Sequence, residues 1–180
     1  MGSLLKTSLS LFGIFILAFI VVGFLLPREN GFSVTKSIPC TPKKAFSMIN
    51  ELKNWETWSP WKEDDPNMKR MYSEISSGKD AWCSWDGNRT VGKGKLTILD
   101  AKADEKLDLL LHFNNEEDTK CSFRLVPSNI GTDITWQIDL VSKEVSFLDK
   151  FTGGYKYLLM KFFLIQDFNK GLDNLKKNCP

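Results

Sequence analysis

Few residues of this chain have the types and spacing that enzyme chemistry needs. His112 is the only histidine, and general acid–base catalysis requires such a group beside the reacting atoms. Alternation along the segment 106–114 puts Leu109, Leu111 and Phe113 on one face and His112 on the other. The apolar face is the one that should be buried, so His112 is expected to point to solvent. No G-x-S-x-G motif supports a serine nucleophile either.

Carboxylates are the remaining candidates for proton transfer. Asp64 and Asp65 follow a tryptophan-rich segment, and Asp86 stands beside Trp85. All three occur in turn-like contexts, where aspartate commonly accepts hydrogen bonds from nearby backbone amides. A charge that lines an apolar cavity is the sharper alternative. These residues leave catalysis uncertain, and turn or cap roles are the preferred interpretation.

The sequence predicts no metal site, no cofactor and no nucleic-acid partner. A Gly-Lys-Gly run at 92–94 lacks the spacing of a phosphate-binding loop and more simply marks a bulge or close packing. With 24 basic and 22 acidic residues, the chain has no charge excess for a nucleic acid. Isolated thiols are the preferred interpretation of the cysteines, and disulfides are the alternative if the domain faces an oxidising space. The cysteines, which have no C-x-x-C spacing, are Cys40, Cys83, Cys121 and Cys179.

Half of the six tryptophans occur in the run NWETWSPW at 54–61. Steps of three place Trp55, Trp58 and Trp61 within one broad arc of a helix, which Pro60 is expected to end. A hydrophobic plug over the core is the preferred interpretation. The mouth of a ligand cavity is the second, and membrane contact is the third because charged residues surround the run.

An apolar segment near the N-terminus predicts a membrane helix. Residues 9–26 carry no charge, and with Leu4 and Leu5 the segment reaches the roughly 20 residues that span a bilayer. A cleaved signal peptide is the rival, but it usually ends at small residues, whereas this segment stays bulky up to Pro27. We therefore expect an uncleaved single-pass anchor in 1–30, with residues 4–26 in the membrane, and a folded domain in 31–180. The sequence does not indicate which side of the membrane carries that domain.

Hydrophobic periodicity in the rest of the chain predicts an α+β fold. A strand at 32–38 and a short helix capped by Thr41 precede the tryptophan run. From about Met68 onward, six segments of alternating polarity separated by short turns predict an antiparallel meander. Apolar residues at steps of three and four then predict one long helix over 155–177. We expect its first half, where the apolar stripe is widest, to be deeply enclosed and its second half to be half-exposed.

The order of these elements and five short motifs resemble the SRPBCC superfamily, also called START-like or Bet v 1-like. The similarity is to its polyketide cyclase/dehydrase and lipid-transport group, in particular to members with an N-terminal membrane helix, and it covers about 32–177. It implies the helix-grip fold, in which a curved antiparallel sheet wraps around a long C-terminal helix. The motifs are SIPCTPKKAFSMI at 37–49, NWETWSPW at 54–61, WDGNRTVGKGKLTI at 85–98, GTDITWQID at 131–139 and FNKGLDNLKK at 168–177.

The resemblance also implies a cavity between the sheet and the C-terminal helix that holds an apolar small molecule. The leading hypothesis is a membrane-anchored binding protein for a hydrophobic small molecule or lipid. One alternative is a polyketide cyclase/dehydrase-like enzyme that acts on an apolar substrate in the same cavity, and another is a module whose collapsed cavity holds no ligand. The cavity candidates are Trp58, Trp61, Trp85, Trp136, Leu158, Phe162 and Phe163.

Overall fold

The computed structural model describes residues 2–27, 31–113, 118–140 and 146–179. Two compact units divide the chain, one formed by Met1–Asn30 with Ser142–Phe162 and the other by Gly31–Val141 with Phe163–Pro180. The helices are α1 (Gly2–Leu25), α2 (Pro42–Asn50), α3 (Trp55–Trp58), α4 (Trp61–Asp64) and α5 (Phe147–Lys177), with a 3₁₀ turn at Leu52–Asn54. The strands are β1 (Phe32–Ile38), β2 (Lys69–Tyr72), β3 (Trp82–Asp86), β4 (Lys93–Lys102), β5 (Lys106–Phe113), β6 (Thr119–Ser128) and β7 (Gly131–Asp139).

The strands of the second unit form one curved antiparallel sheet in the order β1-β7-β6-β5-β4-β3-β2. Alternating polarity specifies this sheet, since a register slip of one residue would turn every buried side chain to the other face. In β7, for example, Thr132, Ile134, Trp136 and Ile138 are buried while their neighbours are partly exposed. The predicted α+β class, with an antiparallel sheet and a long C-terminal helix, is confirmed.

The tryptophan run forms two short helical turns where one helix was predicted. Thr41 caps the preceding helix α2 by accepting a hydrogen bond from the Lys44 amide at 3.3 Å, as expected. Pro60 separates α3 from α4 because proline has no amide hydrogen to continue the helical pattern. The indole N–H groups of Trp55 and Trp58 donate to the carbonyls of Ile49 and Met48. These bonds satisfy carbonyls at the end of α2 that have no partner within the helix.

The prediction that the first half of the last helix is enclosed and its second half half-exposed was wrong, because the structure shows the reverse. The helix also begins at Phe147, eight residues before the predicted start at 155. In the second half Phe168, Leu172 and Leu175 are buried, whereas in the first half Leu159 and Phe162 are about 60% exposed. The width of an apolar stripe shows how much surface a helix can bury, but it does not show which part meets the sheet.

The preferred interpretation of the cysteines as isolated thiols was wrong for two of them. Cys40 and Cys179 form a disulfide across 139 residues of sequence. Both residues belong to the second unit, where Cys40 lies two residues after the end of β1 and Cys179 lies two residues after the end of α5. Cys83 and Cys121 are free thiols. Spacing along the chain carries no signal for a pairing that only the tertiary fold brings together.

Helix α1 is long and apolar enough to cross a membrane. Its span Leu4–Leu25 has a mean hydropathy of 2.6, and almost all of its side chains are exposed. This conclusion rests on length and composition, and a signal sequence can have the same length and composition. Within the first unit, the end of α1 contacts the beginning of α5, where Phe19 stacks on Tyr155 and packs edge-on against Phe151.

Candidate functional site

The inner face of the sheet is the face that packs against α5 within the second unit. Its filled end lies on β1, β7 and β6, where α3 and the second half of α5 cover it. Phe168 of α5 stacks on Trp136 with ring centroids 3.9 Å apart, and Phe32 packs beside Phe168 at 5.3 Å. Trp58 meets Trp136 edge-on at 5.8 Å, and Phe123 lies next to the same ring at 4.8 Å. The chain's own aromatic side chains therefore occupy this end of the inner face.

The open end of the inner face lies on β2, β3, β4 and the end of β5. Register places Arg70, Trp85, Gly94 and Phe113 in one row across these strands. Trp85 and Phe113 meet edge-on at 5.6 Å across the glycine. A Cβ atom on Gly94 would lie 2.5 Å from the Trp85 ring, so only glycine permits this contact. The close packing expected of the Gly-Lys-Gly run is therefore confirmed at Gly94.

A second row of the open end lies beside the first and consists of Tyr72, Cys83, Leu96 and Leu111. Leu96 is buried, while Tyr72, Cys83, Leu111 and the aromatic pair of the first row are only partly buried. Phe123, Trp136 and Phe168, at the filled end, are at most 1% exposed. The inner face thus has one filled end and one end whose apolar side chains remain partly accessible.

Polar groups from α3 and β2 border the open end. The Tyr72 hydroxyl donates a 2.6 Å hydrogen bond to Oε1 of Glu56. The Arg70 side chain is only 15% exposed, yet its nearest carboxylate atom among the described residues is the same Oε1 at 4.0 Å. This distance is too long for a hydrogen bond, so the guanidinium keeps donors for another acceptor. Burial, followed by the interactions with Glu56, raises the pKa of Tyr72 well above its usual value, so the phenol stays protonated.

The two free thiols lie at different ends of the inner face. Burial raises the pKa of Cys83, at the open end, to about 11. Burial raises the pKa of Cys121 to about 12, and the indole of Trp136 donates to its sulfur at 3.0 Å. A thiol with a raised pKa is a poor nucleophile at neutral pH. Neither cysteine has the properties of a catalytic residue.

An open cleft of about 510 Å³ lies at the β2 edge of the sheet. Its lining includes Arg70, Trp85 and Gly94 from the inner face, together with Lys69 and Lys93. Its one carboxylate, Asp86, is paired with Lys93 at 2.8 Å, so Lys69 and Arg70 give the lining a positive excess. A second cleft of about 260 Å³ lies among charged side chains of the outer face.

The structure brings some of the predicted cavity residues together and leaves others apart. Trp58, Trp61 and Trp136 form one aromatic cluster of the second unit, with Trp61 5.9 Å from Trp136. The core-plug interpretation is confirmed for Trp55 and Trp58, which are 9% and 1% exposed. Trp85 lies at the open end. The remaining candidates, Leu158, Phe162 and Phe163, are exposed on α5, and ligand contact at all seven positions stays a prediction.

Three polar residues of the open end, Glu56, Arg70 and Tyr72, were not singled out from the sequence. Alternation along β2 places Arg70 and Tyr72 on one face, which was the available signal. It was weak because β2 has only four residues. The position of Glu56 opposite them depends on how α3 packs, and no local pattern contains that information.

The side chains considered first for catalysis have other roles. His112 is exposed on the outer face and contacts Asp118 at 2.7 Å, so the expectation that it points to solvent is confirmed. Asp65 accepts from the Asn67 and Asn88 amides at 3.1 and 2.6 Å, which is the turn role expected of it. Within the described ranges, no cluster of histidine, cysteine and carboxylate side chains is arranged to hold a metal ion.

Comparison with known proteins identifies the fold. No protein-family model and no curated protein matches the chain. A protein of unknown function from Staphylococcus aureus matches with a TM-score of 0.63 and 12% identity over 83% of this chain and 95% of that one. A Staphylococcus epidermidis protein matches with a TM-score of 0.61 and 12% identity over 85% of this chain and 91% of that one. A Chromobacterium violaceum protein matches with a TM-score of 0.56 and 12% identity over 83% of this chain and 97% of that one. Such low identity shows the fold alone, an antiparallel sheet with a C-terminal helix of the helix-grip kind.

Proposed function

We propose that this protein is a membrane-anchored member of the SRPBCC superfamily that binds a hydrophobic small molecule or lipid at the open end of its inner sheet face. The observation that carries the proposal is the difference between the two ends of that face. Aromatic side chains fill one end, whereas Trp85, Leu111 and Phe113 remain partly accessible at the other. Covering accessible apolar surface is favourable by roughly 25 cal/mol per Å². An apolar ligand would gain that free energy here.

One side chain at the open end, Arg70, favours a ligand with an anionic group. Arg70 lines both the open end and the adjacent cleft, and its nearest described carboxylate, Glu56, is 4.0 Å away, which leaves guanidinium donors for a ligand. A guanidinium binds carboxylate or phosphate through paired, charge-assisted hydrogen bonds. The ligand class that fits best is therefore an amphiphile with an apolar chain and one anionic end, such as a fatty acid or an acidic lipid.

The N-terminal helix supplies the proposed membrane attachment. Its span of 22 residues is close to the roughly 20 that a bilayer requires. Tethering turns the capture of a lipid into a local event with a high effective concentration. A binding protein for membrane-derived amphiphiles would benefit from such an arrangement.

The test is photolabelling of the full chain in nanodiscs of phosphatidylcholine with palmitate that carries a diazirine in its chain. We expect adducts on peptides that contain β3 and β5, identified by mass spectrometry, and competition by unlabelled palmitate. Adducts spread evenly over the sheet, or found only on α1, would contradict the proposal.

A matched pair of substitutions sharpens this test. Leu111 and Leu110 are neighbours on β5, both partly buried, but Leu111 lies on the inner face and Leu110 on the outer. Leu111→Lys should remove most of the β3 and β5 adducts, whereas Leu110→Lys should keep them. Far-UV circular dichroism confirms that both variants are folded. Equal labelling of the two variants would exclude the open end as the binding site.

A cyclase/dehydrase-like enzyme is the second candidate, and the hydrogen bond between Tyr72 and Glu56 favours it. Such an enzyme would use the cavity to hold its substrate in a reactive shape and a carboxylate or tyrosine to move a proton. Glu56→Gln should then abolish turnover while palmitate labelling survives. The binding-protein proposal expects labelling to persist in that variant with no turnover in either form.

A further inference from the structure

The beginning of helix α5 carries a continuous apolar stripe that is only partly covered. Leu148, Phe151, Tyr155, Leu159 and Phe162 follow each other at steps of three and four, which places them on one face of a helix. Leu148, Leu159 and Phe162 are 68%, 60% and 61% exposed. All five residues belong to the first compact unit.

The end of α1 covers the middle of this stripe. Phe19 stacks on Tyr155 with ring centroids 4.5 Å apart, and the Tyr155 hydroxyl donates to the Phe19 carbonyl at 2.7 Å. Two glycines allow the helices to approach closely. A Cβ atom on Gly23 would lie 2.6 Å from the Phe151 ring, and one on Gly154 would collide with Leu26. The apolar surface of α1 is therefore continuous with the exposed parts of the stripe.

We infer that the segment 147–162 of α5 is a second membrane contact and lies in the lipid interface beside the end of α1. The contacts with Phe19, Gly23 and Leu26 place the segment at the last turns of the 4–25 span. Those turns meet one surface of the bilayer if α1 crosses it. Leu159 and Phe162 would then enter the acyl boundary. The inference rests on the membrane anchor of the proposed function, but not on its ligand.

The polar residues of the segment fit this location. The segment contains three lysines outside the apolar stripe and one carboxylate, Asp149. The lysines are Lys150, Lys156 and Lys161. Helices that lie in a membrane interface have an apolar face of this kind with lysine or arginine on the polar side. Tyrosine is enriched at the same depth, and Tyr155 stands in the stripe. This charge pattern favours a leaflet that contains anionic lipid.

The experiment uses the full chain in vesicles of phosphatidylcholine with a minor share of phosphatidylglycerol. Three variants each carry one introduced cysteine in place of an exposed residue. The replaced residues are Leu159 in the stripe, Leu17 in the anchor and, as an aqueous control, Lys44 on α2. Each variant carries the fluorophore NBD, and the chain without an introduced cysteine measures background labelling of Cys83. We expect lipid-attached nitroxide to quench NBD at Leu159→Cys and Leu17→Cys roughly twofold or more relative to Lys44→Cys.

The three labels separate this inference from the anchor on which it rests. Quenching at Leu17→Cys and Leu159→Cys but not at Lys44→Cys, with a blue-shifted emission at both quenched positions, supports it. Quenching at Leu17→Cys alone overturns the interfacial segment and leaves the anchor in place. Absence of quenching at both positions overturns the anchor as well. Equal quenching at Leu159→Cys and Lys44→Cys contradicts a specific contact through the stripe.

Discussion

The two ends of the inner sheet face differ in what covers the same kind of surface. At the filled end, Trp58 and Phe168 both contact Trp136, and all three are at most 1% exposed. At the open end, Trp85 and Phe113 contact each other across a glycine and stay partly accessible. Both ends are rich in aromatic side chains, so residue type does not separate a core from a candidate binding surface. The position of α3 and of the second half of α5 separates them.

The largest expected effect is the loss of the central ring of the filled end. Trp136→Ala removes the stack on Phe168 and the edge contacts with Trp58, and it leaves a cavity that its neighbours cannot close. We expect the free energy of unfolding to fall by about 3–5 kcal/mol. Urea denaturation of the full chain in detergent, followed by far-UV circular dichroism, measures it. A loss below about 1 kcal/mol would show that the filled end is not a tightly packed core.

Thiol reactivity compares the two ends directly. A pKa of about 11 instead of 9.0 leaves Cys83 with roughly 100-fold less thiolate at pH 8. The rate of its alkylation should therefore be low, and it should increase about tenfold per pH unit until the pH nears that pKa. Cys121 is buried at the filled end and should react only after unfolding. Iodoacetamide labelling with peptide mass spectrometry measures both sites. Equal rates in the native chain would remove the distinction between the ends.

Removing the Trp85 side chain at the open end should lower the free energy of unfolding by less than removing Trp136 does. Trp85→Ala loses one edge contact with Phe113 and the cover over Gly94, but the ring is already partly hydrated. We expect a loss of about 1–2 kcal/mol in the same urea experiment and a clear decrease in palmitate labelling. Trp82→Ala on the outer face of the same strand is the matched control, and its labelling should match the unsubstituted chain. A Trp85→Ala loss as large as that of Trp136→Ala would place Trp85 in the core.

The smallest expected effect concerns one carboxylate beside the filled end. Burial raises the pKa of Asp167, whose Oδ2 accepts a 3.3 Å hydrogen bond from the Trp61 indole. Because the pKa of this carboxyl is higher in the folded chain than in the unfolded chain, the free energy of unfolding falls as the pH rises from the unfolded-state pKa to the folded-state pKa. Asp167→Asn keeps an acceptor and should stabilise the chain at pH 7 by at most about 1 kcal/mol, since solvent screens a half-exposed group. The gain should vanish below the unfolded pKa, and a gain that increased at low pH would contradict the assignment.

Much of the fold could be predicted because its signals are local. Alternation together with turn residues predicted the seven strands of the described sheet, and alternation predicted the apolar set on β5 and the exposure of His112, because side chains on a strand point to opposite faces in turn. The cap at Thr41 and the last helix up to Lys177 followed from residue types and from period. The candidate site was harder to predict, since Arg70 and Tyr72 lie on a short edge strand and Glu56 reaches them only through the packing of α3.

Local sequence patterns are enough to specify which segments become strands and helices and to show that the N-terminal helix is apolar enough for a bilayer, because hydrophobic period and length are properties of one segment. Only the folded chain shows which half of α5 packs on the sheet, which cysteines pair, and which end of the inner face stays open. Each of these depends on contacts between residues far apart in the chain. The apolar stripes on both halves of α5 satisfy the same rule of amphipathicity, and only the partner that packs on each half gives it a role.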